Sequence, residues 1–149
     1  MAPSKPTLPS VEPTYDPSRP LATVQCLYNH LIPNVPGKSI VAYLITLPPN
    51  GSTPPHSHAG AFVSAHILSG YMLNAMNDDP MELLGPGDDF FEHPGCHHRI
   101  SDNACATEPA TFFASLVLDT KTVDELGVEG LTVIDDKYME MIANAQKKS

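Results

Sequence analysis

The sequence has few basic residues, few cysteines and no long apolar run. Eight lysines and arginines stand against seventeen aspartates and glutamates, which gives a net charge of −9. A chain with so few cations cannot neutralise a row of phosphates, so we expect no nucleic-acid partner and no binding to an anionic membrane surface. The excess of negative charge is explained by the solubility that a net charge gives a protein.

The three cysteines, Cys26, Cys96 and Cys105, are odd in number and show no CxxC spacing, which argues against a disulfide framework. The first residues lack the apolar stretch of a signal peptide, and no segment approaches the run of about eighteen apolar residues that spans a membrane. We therefore expect a cytoplasmic protein with reduced thiols. Its 149 residues suffice for one domain with a core.

Proline, by contrast, is abundant, with sixteen residues, six of them within residues 1–20. Each proline lacks an N–H and fixes φ, so residues 1–21 cannot form a helix or a central strand. This predicts an extended arm that is either disordered or laid across its own domain or a partner subunit. Because such an arm could embrace a second subunit and edge strands need covering, we expect a homodimer.

Residues 22–120 consist of short apolar runs, rich in Val, Ile, Leu, Phe, Tyr and Thr, between Gly/Pro turns. This pattern predicts an all-β antiparallel sandwich or barrel. Residues 121–149 form a C-terminal segment in which apolar side chains recur at three- and four-residue steps, and this predicts a helix at about 135–146. The predicted strands are 22–31, 39–47, 61–68, 71–76, 81–84, 89–93, 97–100 and 111–119.

Two histidines, His56 and His58, lie two residues apart and are followed about forty residues later by Pro94-Gly95-Cys96-His97-His98. On a β-strand, residues two apart project from the same face. A third imidazole from a neighbouring strand would complete a pocket of three nitrogens for a divalent metal. Since adjacent strand residues face opposite ways, only one of His97 and His98 can join that pocket.

The segment from Gly51 through His56 and His58 to Gly70 resembles the first motif of the cupin superfamily, in which HxH is followed by a glutamate and a glycine. The segment from Gly85 through His98 to Asn103 resembles the second motif. The resemblance implies a small, RmlC-like jelly-roll barrel with its metal or ligand inside, often dimeric. It favours His98 over His97 as the third ligand, so the implied metal ligands are His56, His58 and His98.

One departure from the first motif concerns the glutamate ligand, which falls at Phe62 or, counting back from Gly70, at Val63. Neither side chain can bind a metal, so we expect three neutral imidazoles, an uncompensated 2+ charge and an anionic chelating substrate. The arrangement resembles the three-histidine branch of the superfamily, which includes thiol and β-diketone dioxygenases. Fe²⁺ is favoured, and Zn²⁺, Mn²⁺, Ni²⁺ or Cu²⁺ would also suit the imidazoles.

Other residues are weaker candidates for catalysis or substrate binding. His93, beside the Pro94-Gly95 turn, and Tyr43 are candidate acid or base groups, whereas Glu92 and Glu108 are interpreted as solvated charges. Several apolar residues are candidates for the substrate pocket, although core packing is the commoner role of each. These residues are Phe62, Val63, Met72, Phe91 and Phe113.

Taken together, these patterns predict a metal-dependent enzyme that acts on a small aromatic or enolic molecule, and a non-haem iron oxygenase is the first hypothesis. The same site could instead catalyse an O₂-independent lyase, isomerase or cyclase reaction, through enolate stabilisation or histidine acid/base chemistry. A third possibility is a barrel that binds a small ligand without catalysis.

Overall fold

The computed structural model describes residues 4–147 as one β-structure followed by a short helical segment. Eleven strands and two α-helices occur in this range, and a 3₁₀ helix, Val128–Gly130, lies between α1 and β11. The elements are β1 (Thr23–Leu31), β2 (Lys38–Leu47), β3 (Ser52–Thr53), β4 (His56–Ser57), β5 (Phe62–Ser69), β6 (Met72–Met76), β7 (Glu82–Leu84), β8 (Asp89–Glu92), β9 (His98–Asn103), β10 (Ala110–Asp119), α1 (Thr120–Leu126), β11 (Val133–Ile134) and α2 (Asp136–Lys147).

The strands form two antiparallel sheets that face each other. The first has the order β1-β2-β10-β5-β8, and the second has the order β11-β4-β9-β6-β7 with β3 also paired to β9. Neighbours in the sheets are distant in sequence, as in β2 with β10 and β4 with β9, which is the connectivity of a jelly roll. The predicted all-β fold and its C-terminal helix are confirmed.

The core lies between the sheets and follows from strand alternation. Along β10, residues from Ala110 to Leu118 alternate between buried and half-buried positions, and β2 repeats the pattern from Ser39 to Leu47 except at Ala42, which is also buried. The side chains of one parity therefore fill the interior, while those of the other parity form the outer face of the first sheet.

Gly70 joins β5 to β6 in a conformation that only glycine adopts easily. Its φ is +74°, and a Cβ at this position would lie 2.5 Å from the carbonyl oxygen of Pro109. The closing glycine of the first motif is thus required by the backbone, both for its left-handed conformation and for the close approach of the segment before β10.

The proline-rich arm, in its described part from residue 4, crosses the surface of its own barrel. Arg19 forms an ion pair with the buried carboxylate of Asp102 at 2.9 Å and also donates to the carbonyl oxygens of Asn50 and Gly51. Glu12 pairs with Arg99 further along the arm. Contacts to the same chain account for the path of the arm, and the predicted homodimer stays a prediction.

After β10 the chain forms α1 and then passes along one end of the barrel. The hydroxyl of Tyr43 donates a 2.6 Å hydrogen bond to the carbonyl oxygen of Val128, which ties the 3₁₀ helix to β2. The helix α2 then begins beside Asp135, whose carbonyl oxygen accepts bonds from the amides of Tyr138 and Met139. No helix within residues 4–147 has the length and apolar character needed to cross a membrane.

Candidate metal centre

The three predicted histidines meet inside the barrel. His56 on β4 and His98 on β9 are register partners, so their side chains project from the same face of the second sheet. His58 follows His56 by two residues and joins them, just before the turn at Ala59 and Gly60. One nitrogen of each ring lies within 4.8 Å of the others. The predicted convergence of His56, His58 and His98 is confirmed.

In His56 and His98, one ring nitrogen points away from the cluster and forms a hydrogen bond. That bond decides which nitrogen of the ring holds the lone pair directed at the cluster. Nδ1 of His56 lies 2.7 Å from the carbonyl oxygen of Pro54, and Nε2 of His98 lies 2.6 Å from Oδ1 of Asn74. Both oxygens can only accept, so these nitrogens carry the protons. In the neutral rings, Nε2 of His56 and Nδ1 of His98 therefore hold lone pairs, which is how partners of this kind orient metal-binding histidines.

A buried carboxylate from the opposite sheet lies against two of the three histidines. Glu92 ends β8, is 2% exposed, and places Oε2 3.3 Å from Nε2 of His58 and 3.6 Å from Nδ1 of His98. Oε1 of Glu92 and Nδ1 of His58 are both buried, and neither has a hydrogen-bond partner among the residues that the structure describes. The interpretation of Glu92 as a solvated charge is wrong, because its side chain is buried against two of the three histidines.

Local sequence patterns do not mark Glu92 or Asn74 as residues of the site. Phe90 and Phe91 are adjacent aromatics on β8, so hydrophobic alternation does not show which face of that strand is buried. The inward face, with Phe90 and Glu92, is fixed by pairing with β5. Asn74 lies in β6 among apolar residues, where a polar side chain is an exception that could have been followed to its partner.

Burial keeps the imidazoles of His56 and His98 neutral at physiological pH. It lowers the pKa of His98 to about 4, an effect that the negative charge of Glu92 opposes only in part. Burial, reinforced by the neighbouring rings of His98 and His58, also lowers the pKa of His56 well below its usual range. For Glu92, burial acts to raise the pKa, but the interaction with His58 and the charge of His98 outweigh it and the pKa is lowered.

Cys96 is not suited to act as a thiolate ligand. Burial, together with the neighbouring charge of Glu92, raises the pKa of the Cys96 thiol to about 11. The thiol therefore stays protonated at neutral pH. The three imidazoles form the candidate donor set, and the Glu92 carboxylate lies against two of them. Imidazole nitrogens beside a carboxylate fit a divalent transition metal.

The cluster lies in the wall of a cavity of about 480 Å³ between the sheets. This volume suits a small organic molecule. Most of the lining is apolar, and the polar groups other than the cluster are few. The lining residues include Ala22, Val24, Tyr43, Ile45, Val63, Phe90, Ser101, Phe112, Leu116, Val128, Glu129, Thr132 and Ile134.

Of the residues predicted to surround the substrate, Val63 lines the cavity and the other four do not. Phe62 and Phe91 are exposed on the outer face of the first sheet, 6.3 Å apart between ring centroids. Phe113 has the outward parity on β10, next to the inward Phe112. Met72 is fully buried in the core beside the cavity. Phe62 and Val63 are adjacent on one strand and cannot both face the interior.

The two candidate acid or base groups lie in different places. Tyr43 lines the cavity, but its hydroxyl donates to Val128, and burial raises its pKa to about 12. His93 does not line the cavity within the described chain. It lies in a separate surface hollow with Asp79, Glu82 and Asp89, and its ring contacts the edge of Phe91.

His97 faces away from the cluster, as alternation predicts. Its Nε2 lies 2.8 Å from Oδ2 of Asp135, ahead of α2, while its backbone amide donates to the side-chain oxygen of Asn77. Adjacent histidines thus have different functions in this segment. His98 belongs to the interior, and His97 joins the barrel to the C-terminal segment.

A family model described as "Cupin domain" matches residues 43–116, which contain all four residues of the cluster. The chain belongs to the cupin superfamily. Solved structures with this cupin's fold include the cupin domain of Cnp3 from Schizosaccharomyces pombe (17% identity, 72% of this chain and 68% of that chain, TM-score 0.56). A cupin domain from Bordetella pertussis Tohama I is also similar, with 17% identity over 68% of this chain and 97% of that chain and a TM-score of 0.54.

An oxalate oxidase in complex with glycolate also shares this cupin's fold, at 18% identity over 78% of this chain and 64% of that chain, with a TM-score of 0.53. Identities this low show the fold alone. No curated protein sequence matches the chain significantly.

Proposed function

We propose that this cupin is a metal-dependent enzyme that acts on a small, largely apolar molecule with an oxygen-donor group, and that its reaction is an oxygenation at an iron centre. The observation that carries the proposal is the convergence of His56, His58 and His98 at the wall of an apolar cavity. These residues would hold the metal, and burial keeps the imidazoles of His56 and His98 neutral at physiological pH by lowering the pKa of each.

A divalent iron would supply Lewis acidity and sites at which a chelating substrate and O₂ can be held. The chain's own residues contribute orientation and exclusion of water. The Pro54 carbonyl oxygen and Asn74 hold two imidazoles in fixed tautomers. Phe90, Phe112 and Ile45 give an apolar wall that favours an aromatic or enolic molecule over a highly polar one.

A second candidate is an O₂-independent lyase or isomerase. Glu92 lines the cavity, and its carboxylate could accept a proton from a bound substrate. The fold is shared by an oxalate oxidase and by the DMSP lyase DddQ from Ruegeria pomeroyi (23% identity, 66% of this chain and 51% of that chain, TM-score 0.51). The fold therefore accommodates either chemistry.

Elemental analysis of the purified protein tests the metal. We expect close to one iron per chain in the wild type and little in His58→Ala. His97→Ala is the matched control, because it removes the neighbouring imidazole that faces away from the cluster, and it should keep its metal. A wild type that contains no metal and binds none of Fe²⁺, Mn²⁺, Zn²⁺ or Ni²⁺ on titration would refute the proposal and favour a ligand-binding barrel.

Oxygen dependence separates the two reactions. Candidate enols, catechols and diketones would be incubated with the iron-loaded protein in air and under anaerobic conditions. We expect turnover in air that ceases without O₂ and consumption of O₂ in step with product. Equal turnover under both conditions would exclude the oxygenase and support the lyase or isomerase.

A further inference from the structure

The carboxylate that the first motif lacks has a structural equivalent on the neighbouring strand. The glutamate position of that motif is occupied by Val63 on β5, and the register partner of Val63 on β8 is Glu92. Register partners lie side by side on one face of a sheet, with Cβ atoms about 5 Å apart. Glu92 therefore reaches the same part of the interior as a side chain at position 63 would.

The carboxylate of Glu92 faces a lone pair of His98 in the buried cluster. Because Nε2 of His98 donates to Asn74, Nδ1 of neutral His98 presents a lone pair to Oε2 of Glu92 at 3.6 Å. Oε2 also lies 3.3 Å from Nε2 of His58, while Oε1 has no partner in the described chain. The imidazole of His58 and the thiol of Cys96 can donate hydrogen bonds to this carboxylate, but the lone pair of His98 faces it, and a cation between that lone pair and the carboxylate would remove the cost of the contact.

We infer that Glu92 is the fourth protein ligand of the metal, and that this chain has moved the carboxylate ligand from β5 to β8. The inference rests on the proposed metal-dependent function and deepens it. In this arrangement three ligands come from the second sheet, one comes from the first sheet, and the metal ties the two sheets together. Val63 then leaves the wall beside the metal apolar.

The test compares metal-free full-length variants by titration with Co²⁺, whose visible absorption bands report on its ligands. Glu92→Gln removes the charge with almost no change in shape. We expect its Co²⁺ affinity to fall by more than the ten- to hundredfold that is typical when an outer partner of a ligand is lost, and its absorption bands to change. Glu82→Gln, which alters an exposed carboxylate of β7, is the control and should match the wild type.

A second set of variants tests the register argument. Glu92→Val should bind Co²⁺ poorly, and the exchange Val63→Glu with Glu92→Val should recover affinity to within about tenfold of the wild type, because the two positions are neighbours on one face. Circular dichroism of each metal-free variant checks that it is folded. A folded exchange variant that binds no better than Glu92→Val would overturn the inference.

The result that would refute the metal-dependent function differs from the results that would refute Glu92 as a ligand. If the wild type binds no Co²⁺, the metal-dependent function itself fails. If the wild type binds Co²⁺ and Glu92→Gln binds it with the same affinity, the function stands and Glu92 is not a ligand. A weaker affinity with unchanged absorption bands would also overturn the assignment, since Glu92 would then act only through the imidazoles.

Discussion

The side-chain oxygen of Asn74 lies 2.6 Å from Nε2 of His98, and this contact determines how the histidine enters the cavity. Both residues are buried, on neighbouring strands β6 and β9 of the second sheet. The amide nitrogen of Asn74 faces Sδ of Met76 at 3.4 Å, which leaves the oxygen for the imidazole. An asparagine among apolar residues thus selects the tautomer of a candidate metal ligand.

Replacing Asn74 by leucine should weaken metal binding through this contact alone. Asn74→Leu keeps the size of the side chain but leaves Nε2–H of His98 buried without an acceptor. We expect metal affinity to fall about 10- to 100-fold and the free energy of unfolding to fall by about 1–3 kcal/mol. Asn74→Asp, which retains an acceptor, should bind metal more tightly than Asn74→Leu. Equal affinities in wild type and Asn74→Leu would show that the contact does not support the ligand.

The stability of the metal-free protein should depend on the charge state of His98. Its pKa is about 4 in the folded chain, compared with an ordinary value of 6.5, so between these values the unfolded chain binds more protons. Stability is therefore lost as the pH falls through this window, by about 2 kcal/mol from pH 7 to pH 4.5. The lowered pKa of Glu92 acts in the same direction.

Urea unfolding at pH 7 and pH 4.5 measures this loss, with His98→Gln as the matched variant. The variant has no imidazole to charge, so its stability should decline less over the same interval by roughly 2 kcal/mol. Parallel decline in both proteins would mean that His98 titrates normally in the fold.

The arm should contribute measurably to stability through Arg19. Arg19→Ala would leave the carboxylate of Asp102 buried, with the hydroxyl of Ser52 as its remaining side-chain partner in the described chain. The expected loss in the free energy of unfolding is about 2 kcal/mol, below that of a fully buried pair because the guanidinium is partly exposed. Chemical denaturation measures it, and Arg19→Ala combined with Asp102→Asn should recover part of the loss.

A surface pair supplies the comparison for Arg19. Lys38 and Asp119 form an exposed ion pair at 2.6 Å, and Lys38→Ala should cost less than about 1 kcal/mol. If Arg19→Ala costs no more than Lys38→Ala, the Arg19–Asp102 pair contributes no more to stability than an exposed ion pair does.

Tyr43→Phe should loosen the end of the cavity without affecting the metal. The phenol donates to the carbonyl oxygen of Val128 and its pKa is raised to about 12, so at neutral pH it acts as a hydrogen-bond donor. We expect unchanged metal content, a stability loss of about 1 kcal/mol and faster hydrogen exchange in residues 127–134. Unchanged exchange there would show that this bond does not hold the 3₁₀ helix in place. Loss of metal would show that Tyr43 supports the cluster directly.

Much of the architecture follows from the sequence because its signals are local. Alternation and Gly/Pro turns predicted strands such as 39–47 and 111–119 almost to the residue, and the observed strands are Lys38–Leu47 and Ala110–Asp119. The spacing of His56 and His58 and the parity of His97 and His98 needed only the two-residue repeat of a strand. The short helix α1 was not predicted, since its seven residues carry little periodic signal.

The composition of the site was decided by strand pairing, which no local pattern encodes. Glu92 joins the cluster because β8 pairs with β5 in the register that sets it beside Val63, and a shift of one residue would have turned it to solvent. Phe62, Phe91 and Phe113 face outward for the same reason. The chain by itself fixed the three imidazoles and the barrel. The contact of one sheet with the other supplied the carboxylate and the cavity, and pairing within the second sheet set the tautomer of His98 through Asn74, because these contacts join residues far apart in sequence.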